Sequence, residues 1–411
     1  MRISEGRDIK RPMLFLLTAC AAISICSFQR GIVMKLIHLS DLHLGKRVNE
    51  FSMLEDQQHI LEQILEHVRN ERPDGVLIAG DVYDKSIPSA DAVSLLDAFL
   101  VDLAALSPVF LISGNHDSAE RLSFGGRLMS QSGVYVSPVY DGTTAPLTLR
   151  DQYGEVRIYL LPFLKPASVR RFFPETGIES YTDALSAAIG AMDIDPACRN
   201  VLVTHQFVTG AERCESEELS VGGADNVSAE VFQPFDYVAL GHLHGPQSVT
   251  RPTIRYCGTP LKYSFSEVRQ KKSVTVLDLA EKGSVVIREL PLKPLRDLVE
   301  LRGTYEEVSS RAFYMGTHWQ EDYVHIILTD EDDIPDAAAK LRTIYHGLMK
   351  LDYDNQRTRN ALVLDAPDTP ERTDPMDLLS DFYEQQNGQP MSDEQRAYIK
   401  ELMERVREEL Q

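Results

Sequence analysis

Short apolar runs, many of them β-branched, recur along the chain from residue 34 to residue 290. KLIHLS, GVLIAG, VFLISG, VRIYLLPF, VLVTH, YVALG, SVTVLDL and SVVIREL are too short for helices and predict strands. Amphipathic stretches lie between them. Ile60, Leu61, Ile64, Leu65 and Val68 fall three or four apart, which predicts a helix with one face on a sheet. Ser89 predicts the N-cap of another helix, with Val93, Leu96, Phe99, Leu100 and Leu103 turned inward. This alternation predicts a layered α/β domain over residues 34–290, closed by Pro291 and Pro294.

The pattern then changes. Residues 291–365 predict a small α+β unit: strands at LVELRG and YVHIILTD, a helix from Ala337 to Lys350 with Leu341, Ile344, Tyr345 and Leu348 on one side, and a closing strand at ALVLD. PDTPERTDP reads as a charged, proline-broken linker. Two helices are expected within residues 366–411. Asp374-Pro375 would begin the first, with Leu378, Leu379, Phe382 and Tyr383 as its apolar face. Ser392 would cap the second, which carries Ile399, Leu402, Met403, Val406 and Leu410 as a stripe. Such a hairpin either packs on its own domain or docks a partner helix.

Composition changes this picture little. The 411 residues are 43% hydrophobic and 25% charged, as in ordinary globular chains. The net charge of −20 argues against non-specific nucleic-acid binding by this chain alone, because phosphate contact rests on Lys and Arg. Arg269, Lys271 and Lys272 form a local basic cluster that can either touch DNA or sit on a solvated turn. The five scattered cysteines show no CxxC pairing and fit a reducing compartment. Lys10 and Arg11 precede an apolar run too short for a membrane span, and Leu17-Thr18-Ala19-Cys20 resembles a lipoprotein cleavage box. Residues 1–33 therefore read as an export signal or as an extension upstream of the true start. Met34, opening MKLIHLSDLH, favours the second reading and a cytoplasmic protein without stable membrane association.

Residues with metal-ligand chemistry follow successive predicted strands: Asp41 and His43; Asp81 and Asp84; Asn115, His116 and Asp117; His205; His242 and His244. One such residue is ordinarily a turn or cap. Five coincidences point to one edge where strand ends converge. The set Asp41, His43, Asp81, Asn115, His205, His242 and His244 offers nitrogen and oxygen without sulfur, which suits Mn, Fe or Zn better than Ca or Mg. Seven ligands suit two ions, with Asp81 as the bridge, since Gly80 before it allows close backbone approach. Two ions so placed clamp a phosphodiester and lower the pKa of a bridging water. His116 would act on the transition state and the leaving oxygen, oriented by Asp84 or Asp117.

The motifs DLH, GDVYD, GNHD, the TH of VLVTHQF, and GHLH resemble in order and form those of the calcineurin-like metallophosphoesterase superfamily. HQFVTGAE, ELSVGGADNV, FDYVALGHLHGPQ and YCGTPLKYSFSEVRQKKSV resemble the SbcD family of bacterial nuclease subunits. The resemblance implies a four-layer α/β sandwich of two mixed sheets flanked by helices, a small α+β capping domain, and C-terminal helices that hold the coiled-coil base of an SbcC-like ATPase. It implies two Mn²⁺ ions, with Mg²⁺, Fe or Zn as alternatives. One would be held by Asp41, His43, Asp81 and His244, the other by Asp81, Asn115, His205 and His242, with His116 catalytic. It further implies exonuclease action on duplex ends, endonuclease action on single strands or hairpins, and two copies within a heterotetramer. The chain has no GxxxxGK[ST] loop, so any ATP dependence would come from the partner. The rival expectation is an exported phosphodiesterase for small nucleotides or phospholipids.

Overall fold

The computed structural model describes residues 23–24, 33–214, 225–356, 358 and 375–409. Every strand expected between residues 34 and 290 forms, and they divide between two sheets. The first has six strands in the order Val285–Pro291, Ser273–Leu279, Met34–Leu39, Gly75–Ala79, Val109–Ile112 and Val134–Val136. The last four run parallel. The second has seven, with Gly154–Leu161, Arg199–His205, Tyr237–Gly241 and Arg251–Tyr256 parallel at its centre. Leu147–Asp151 and Gln247–Val249 add antiparallel partners, and Ile23–Ser24 pairs at the edge with Leu147–Asp151. The rest of residues 1–33, apart from residue 33, lies outside the described residues.

Near-continuous apolar strands need cover on both faces, and both sheets have it. Leu36, Leu77, Phe110 and Ile112 of the first sheet meet Ile158, Val201, Val203 and Tyr237 of the second in an inner core. Helices Leu54–Glu71 and Ala90–Leu106 cover the outer face of the first sheet. Tyr181–Gly190 covers the second. These are the four layers of the expected sandwich. Ser89 caps its helix as expected, accepting from Ala92 N, although Val93 faces outward and Ala92 takes the inner position.

The smaller unit departs from expectation. It holds three parallel strands, Leu298–Gly303, Tyr323–Leu328 and Gly347–Tyr353. The helix expected over 337–350 covers only Ala337–Arg342. Leu341, Ile344, Tyr345 and Leu348 satisfy a helical period, but residues 347–353 find an unpaired sheet edge and join it. Gly347 permits this, because a Cβ there would lie 2.3 Å from the Asp322 carbonyl oxygen. ALVLD and Asp374 lie outside the described residues.

Helices Pro375–Asn387 and Asp393–Glu409 follow. Ser392 caps the second, accepting from Gln395 N at 3.2 Å. Gln395 donates to the Tyr383 hydroxyl at 2.9 Å and Arg396 to Ser380 Oγ at 3.0 Å, tying the pair together. Phe382, Tyr398 and Leu402 remain exposed.

Candidate metal centre

The parallel strands of both sheets end at one place. Met34–Leu39, Gly75–Ala79 and Val109–Ile112 deliver Asp41, His43, Asp81, Asn115 and His116 from one side. Arg199–His205 and Tyr237–Gly241 deliver His205, His242 and His244 from the other. Residues 41–44 run beside 80–82, with Asp41 N donating to Gly80 O at 3.0 Å, His43 N to Asp81 O at 2.9 Å and Leu44 N to Val82 O at 2.9 Å. Asp41, His43, Asp81 and His242 all have positive φ, a strained backbone that over-determined sites retain. Gly80 has φ +85°, and a Cβ there would meet His205 Nδ1 at 2.6 Å. A Cβ on Gly114 would lie 2.1 Å from Asp81 Oδ1.

Asp81 stands at the centre. Its Oδ2 lies 3.4 Å from His205 Nε2, 3.8 Å from His43 Nε2 and 3.9 Å from His116 Nε2. Ligand atoms of Asp41, Asp81 and His205 fall within 4.8 Å of one another, as do those of His43, Asp81 and His116. Asp81 is common to both groups, as a bridge requires. Asn115 Oδ1 faces His205 Nε2 at 2.9 Å and His242 Nδ1 at 3.0 Å. Asp41 accepts from His242 N at 3.0 Å, tying the two sheets together. His244 stacks obliquely on His43, ring centres 5.1 Å apart.

The electrostatics favour cations. Burial pushes Asp41 up to about 6, with His205 opposing and Asp81 adding to the rise. Burial also works against the ionised form of Asp81, but His205, His43 and His116 outweigh it and hold the carboxylate below its usual range. His205 is pushed up to about 9: burial lowers it, and Asp81 and Asp41 more than reverse that. Burial, with His205 adding, lowers His242 to about 3, and burial takes His43 well below its ordinary value. The neutral imidazoles of His43 and His242 are ready to ligate, and His205 would give up its proton to an ion beside Asp81. Both ring nitrogens of His43 are buried without a hydrogen-bond partner. Orphaned buried nitrogens are costly unless an ion or a water takes them. The residues present therefore fit divalent metal.

His116 is different. It is about one-fifth exposed. Its Nδ1 donates to the main-chain carbonyl of Asp84 at 2.9 Å, which leaves Nε2 for the open side. Of the two candidates, Asp84 orients the ring, and it does so through its main-chain carbonyl. The Asp84 carboxylate pairs with Lys46 at 2.8 Å. The Asp117 carboxylate accepts from the backbone of Val82, Tyr83 and Gly114 at 2.9–3.0 Å and braces the two motif loops.

Lys272 is a further correction. It is buried, and its ammonium bonds to Glu267 rather than facing a ligand. Arg269 and Lys271 are exposed. Three contributors escaped the sequence reading. Glu267 accepts from His244 Nδ1 at 3.1 Å. Gln57 donates to His43 O at 2.7 Å and accepts from Gly45 N at 3.0 Å. Tyr263 donates to Leu42 O at 2.7 Å. Gln57 and Glu267 sit on an amphipathic helix and a tight turn, where no periodicity marks them.

Residues 34–246 match the family model described as calcineurin-like phosphoesterase. The chain belongs to that family. It is a metal-dependent phosphoesterase, and divalent metal is its cofactor class. Residues 294–387 match a second model, described as type 5 capsule protein repressor C-terminal domain. That match runs through the three-stranded unit and the first C-terminal helix. A protein named as the SbcD component of the nuclease SbcCD, from Staphylococcus epidermidis, is 34% identical over 378 residues, 90% of this chain and 98% of that protein. Its namesake from Staphylococcus saprophyticus is 32% identical over 381 residues, 92% of this chain and 99% of that protein. No helix among the described residues is long and apolar enough to cross a membrane.

Proposed function

We propose that this phosphoesterase is an SbcD-like nuclease that hydrolyses DNA phosphodiesters with two Mn²⁺ ions, together with an SbcC-like coiled-coil ATPase. The observation that carries the reading is Asp81 Oδ2, placed between histidine nitrogens of two ligand groups. Asp41, His43, Asp81 and His244 would hold one ion, and Asp81, Asn115, His205 and His242 the other. Two divalent ions supply Lewis-acid activation of the phosphate and of a water. His116 Nε2 faces the open side, and with the ring protonated at both nitrogens it can donate that Nε2 proton to the leaving oxygen, returning to the neutral Nδ1–H form held by Asp84 O.

Similarity to the two relatives over nine-tenths of the chain supports the nuclease reading over a small-molecule phosphodiesterase. The capping unit borders a cavity of about 370 Å³ that is lined by Lys262, Arg269, Lys271 and Arg296 among others. Arg269 and Lys271 are the DNA contacts we assign there. The exposed Phe382 and Leu402 of the C-terminal pair suit the ATPase's coiled coil. Phe124, 86% exposed, and Leu128, 73% exposed, follow the Asn115–Asp117 loop, and we assign them to contact with a second copy of the chain.

His116→Ala tests the chemistry. With ligands intact, the variant should bind Mn²⁺ normally in calorimetry. Cleavage of duplex DNA should fall by roughly 10²–10⁴-fold, the range of general acid–base catalysis. Undiminished cleavage would remove His116 from the mechanism.

A further inference from the structure

Behind His244 lies a buried polar knot that belongs to none of the five motifs. Glu267 is fully buried at the end of the short turn Phe265–Glu267. Its Oε1 accepts from His244 Nδ1 at 3.1 Å and from Tyr263 N at 3.4 Å. Its Oε2 accepts from Lys272 Nζ at 2.5 Å and from Thr259 Oγ1 at 3.4 Å. Lys272 Nζ also lies within hydrogen-bond reach of the His244 carbonyl at 2.9 Å, Thr259 Oγ1 at 2.7 Å and Gln270 Oε1 at 2.7 Å, sharing its three N–H groups among four acceptors. Both arms of the knot therefore end on His244, one on the ring and one on the backbone.

A buried ion pair is seldom a net source of stability, because two desolvated charges must first be offset. A structural staple for residues 258–272 could be built more cheaply from apolar side chains. What an apolar pair cannot do is fix an imidazole. A histidine ligand offers one nitrogen to the ion and its other N–H to an acceptor, which sets the tautomer and the ring plane. A carboxylate accepts only, so Nδ1 must carry the proton and Nε2 the lone pair.

We propose that Glu267 is a positioning residue for the metal ligand His244, with Lys272 holding the Glu267 carboxylate in place. The inference rests on the metal reading of the site given above. Lys272 acts inward, one residue away from the exposed Lys271. The pair would set how tightly one of the two ions is held, without touching substrate.

The test uses the full chain, stripped of metal and titrated with Mn²⁺ alone by calorimetry, with thermal midpoints measured alongside. Glu267→Gln keeps the volume and an acceptor oxygen but loses the charge. One Mn²⁺ should bind about 10–100-fold more weakly, the usual effect of removing such a partner, and the other should be unchanged. Lys272→Met alone leaves the buried carboxylate unpaired and should lower the midpoint. The double variant Glu267→Gln, Lys272→Met removes both charges. It should recover the midpoint of the single Lys272 variant toward that of the parent while Mn²⁺ binding stays weak. A merely structural knot would recover both together, and that result overturns the proposal. So does wild-type affinity for both ions in Glu267→Gln. Asp81→Asn is the control and should weaken both ions. If Asp81→Asn also keeps both, the metal reading falls and takes the inference with it.

Discussion

Tyr323→Phe should loosen the three-stranded unit from the phosphoesterase domain. Tyr323 is almost wholly buried, and its hydroxyl sits at the junction. It donates to Asp56 Oδ2 at 2.8 Å and accepts from an Arg296 nitrogen at 2.8 Å. Asp56, fully buried at the start of helix Leu54–Glu71, also accepts from Arg296 N at 3.3 Å and from the Arg296 guanidinium at 3.2 Å. Phenylalanine keeps the edge-on packing against Phe51, ring centres 5.8 Å apart, and removes only the hydroxyl. A hydrogen bond to a charged group contributes about 1.5–3 kcal/mol. Taking about 2 kcal/mol, at 1.36 kcal/mol per decade, the undocked population rises about 30-fold. Native-state hydrogen exchange reads this directly. Peptides covering Leu298–Gly303 and the start of Leu54–Glu71 should exchange about 30-fold faster, while Gly75–Ala79 in the central sheet should not change. Gln57, the next residue, holds the His43 carbonyl, so undocking should reach the metal loop as well. Acceleration confined to less than about threefold, or equal acceleration in Gly75–Ala79, would refute the latch.

Two further outcomes follow from other regions. Burial, with Arg255 adding, pushes the His38 imidazole down to about 3 from its ordinary 6.5. The unfolded chain therefore binds a proton that the fold refuses, and stability falls as pH drops below 6.5 toward 3, by up to about 1.4 kcal/mol per pH unit. Thermal midpoints at pH 7.5, 6 and 5 should fall more steeply for the parent than for His38→Gln; parallel curves would contradict this. On the proposed contact between two copies, Phe124→Glu with Leu128→Glu should halve the mass in light scattering without shifting the thermal midpoint; an unchanged mass would refute that contact.

Most of the candidate site was legible because each candidate ligand lies within a few residues of a strand end, and parallel strands bring their ends together. Asp41, Asp81 and His205 are separated by up to 164 residues, yet the topology alone sends them to one rim. A layered α/β domain was legible from the same apolar runs, and its four layers only from the family resemblance of the motifs. Strands Leu147–Asp151 and Arg251–Tyr256 were not, because LTLRD and RPTIRY interleave charge, and Pro252 argues against a strand interior. Helix 337–350 failed for the opposite reason, since its period was right but its residues had a better partner in a sheet edge. The basic cluster shows where composition misleads and geometry would have helped. Arg269, Lys271 and Lys272 look alike as charges. Residues 271 and 272, however, lead into the extended strand Ser273–Leu279, where successive side chains point to opposite faces. One of two adjacent lysines entering a buried sheet must turn inward, and an inward ammonium requires a carboxylate. Glu267, the nearest acidic residue before it, was therefore predictable once Lys272 was read by parity instead of charge. That chain of requirement, from strand alternation to Lys272, to Glu267, to His244, is how a feature outside the motifs comes to bear on the metal site.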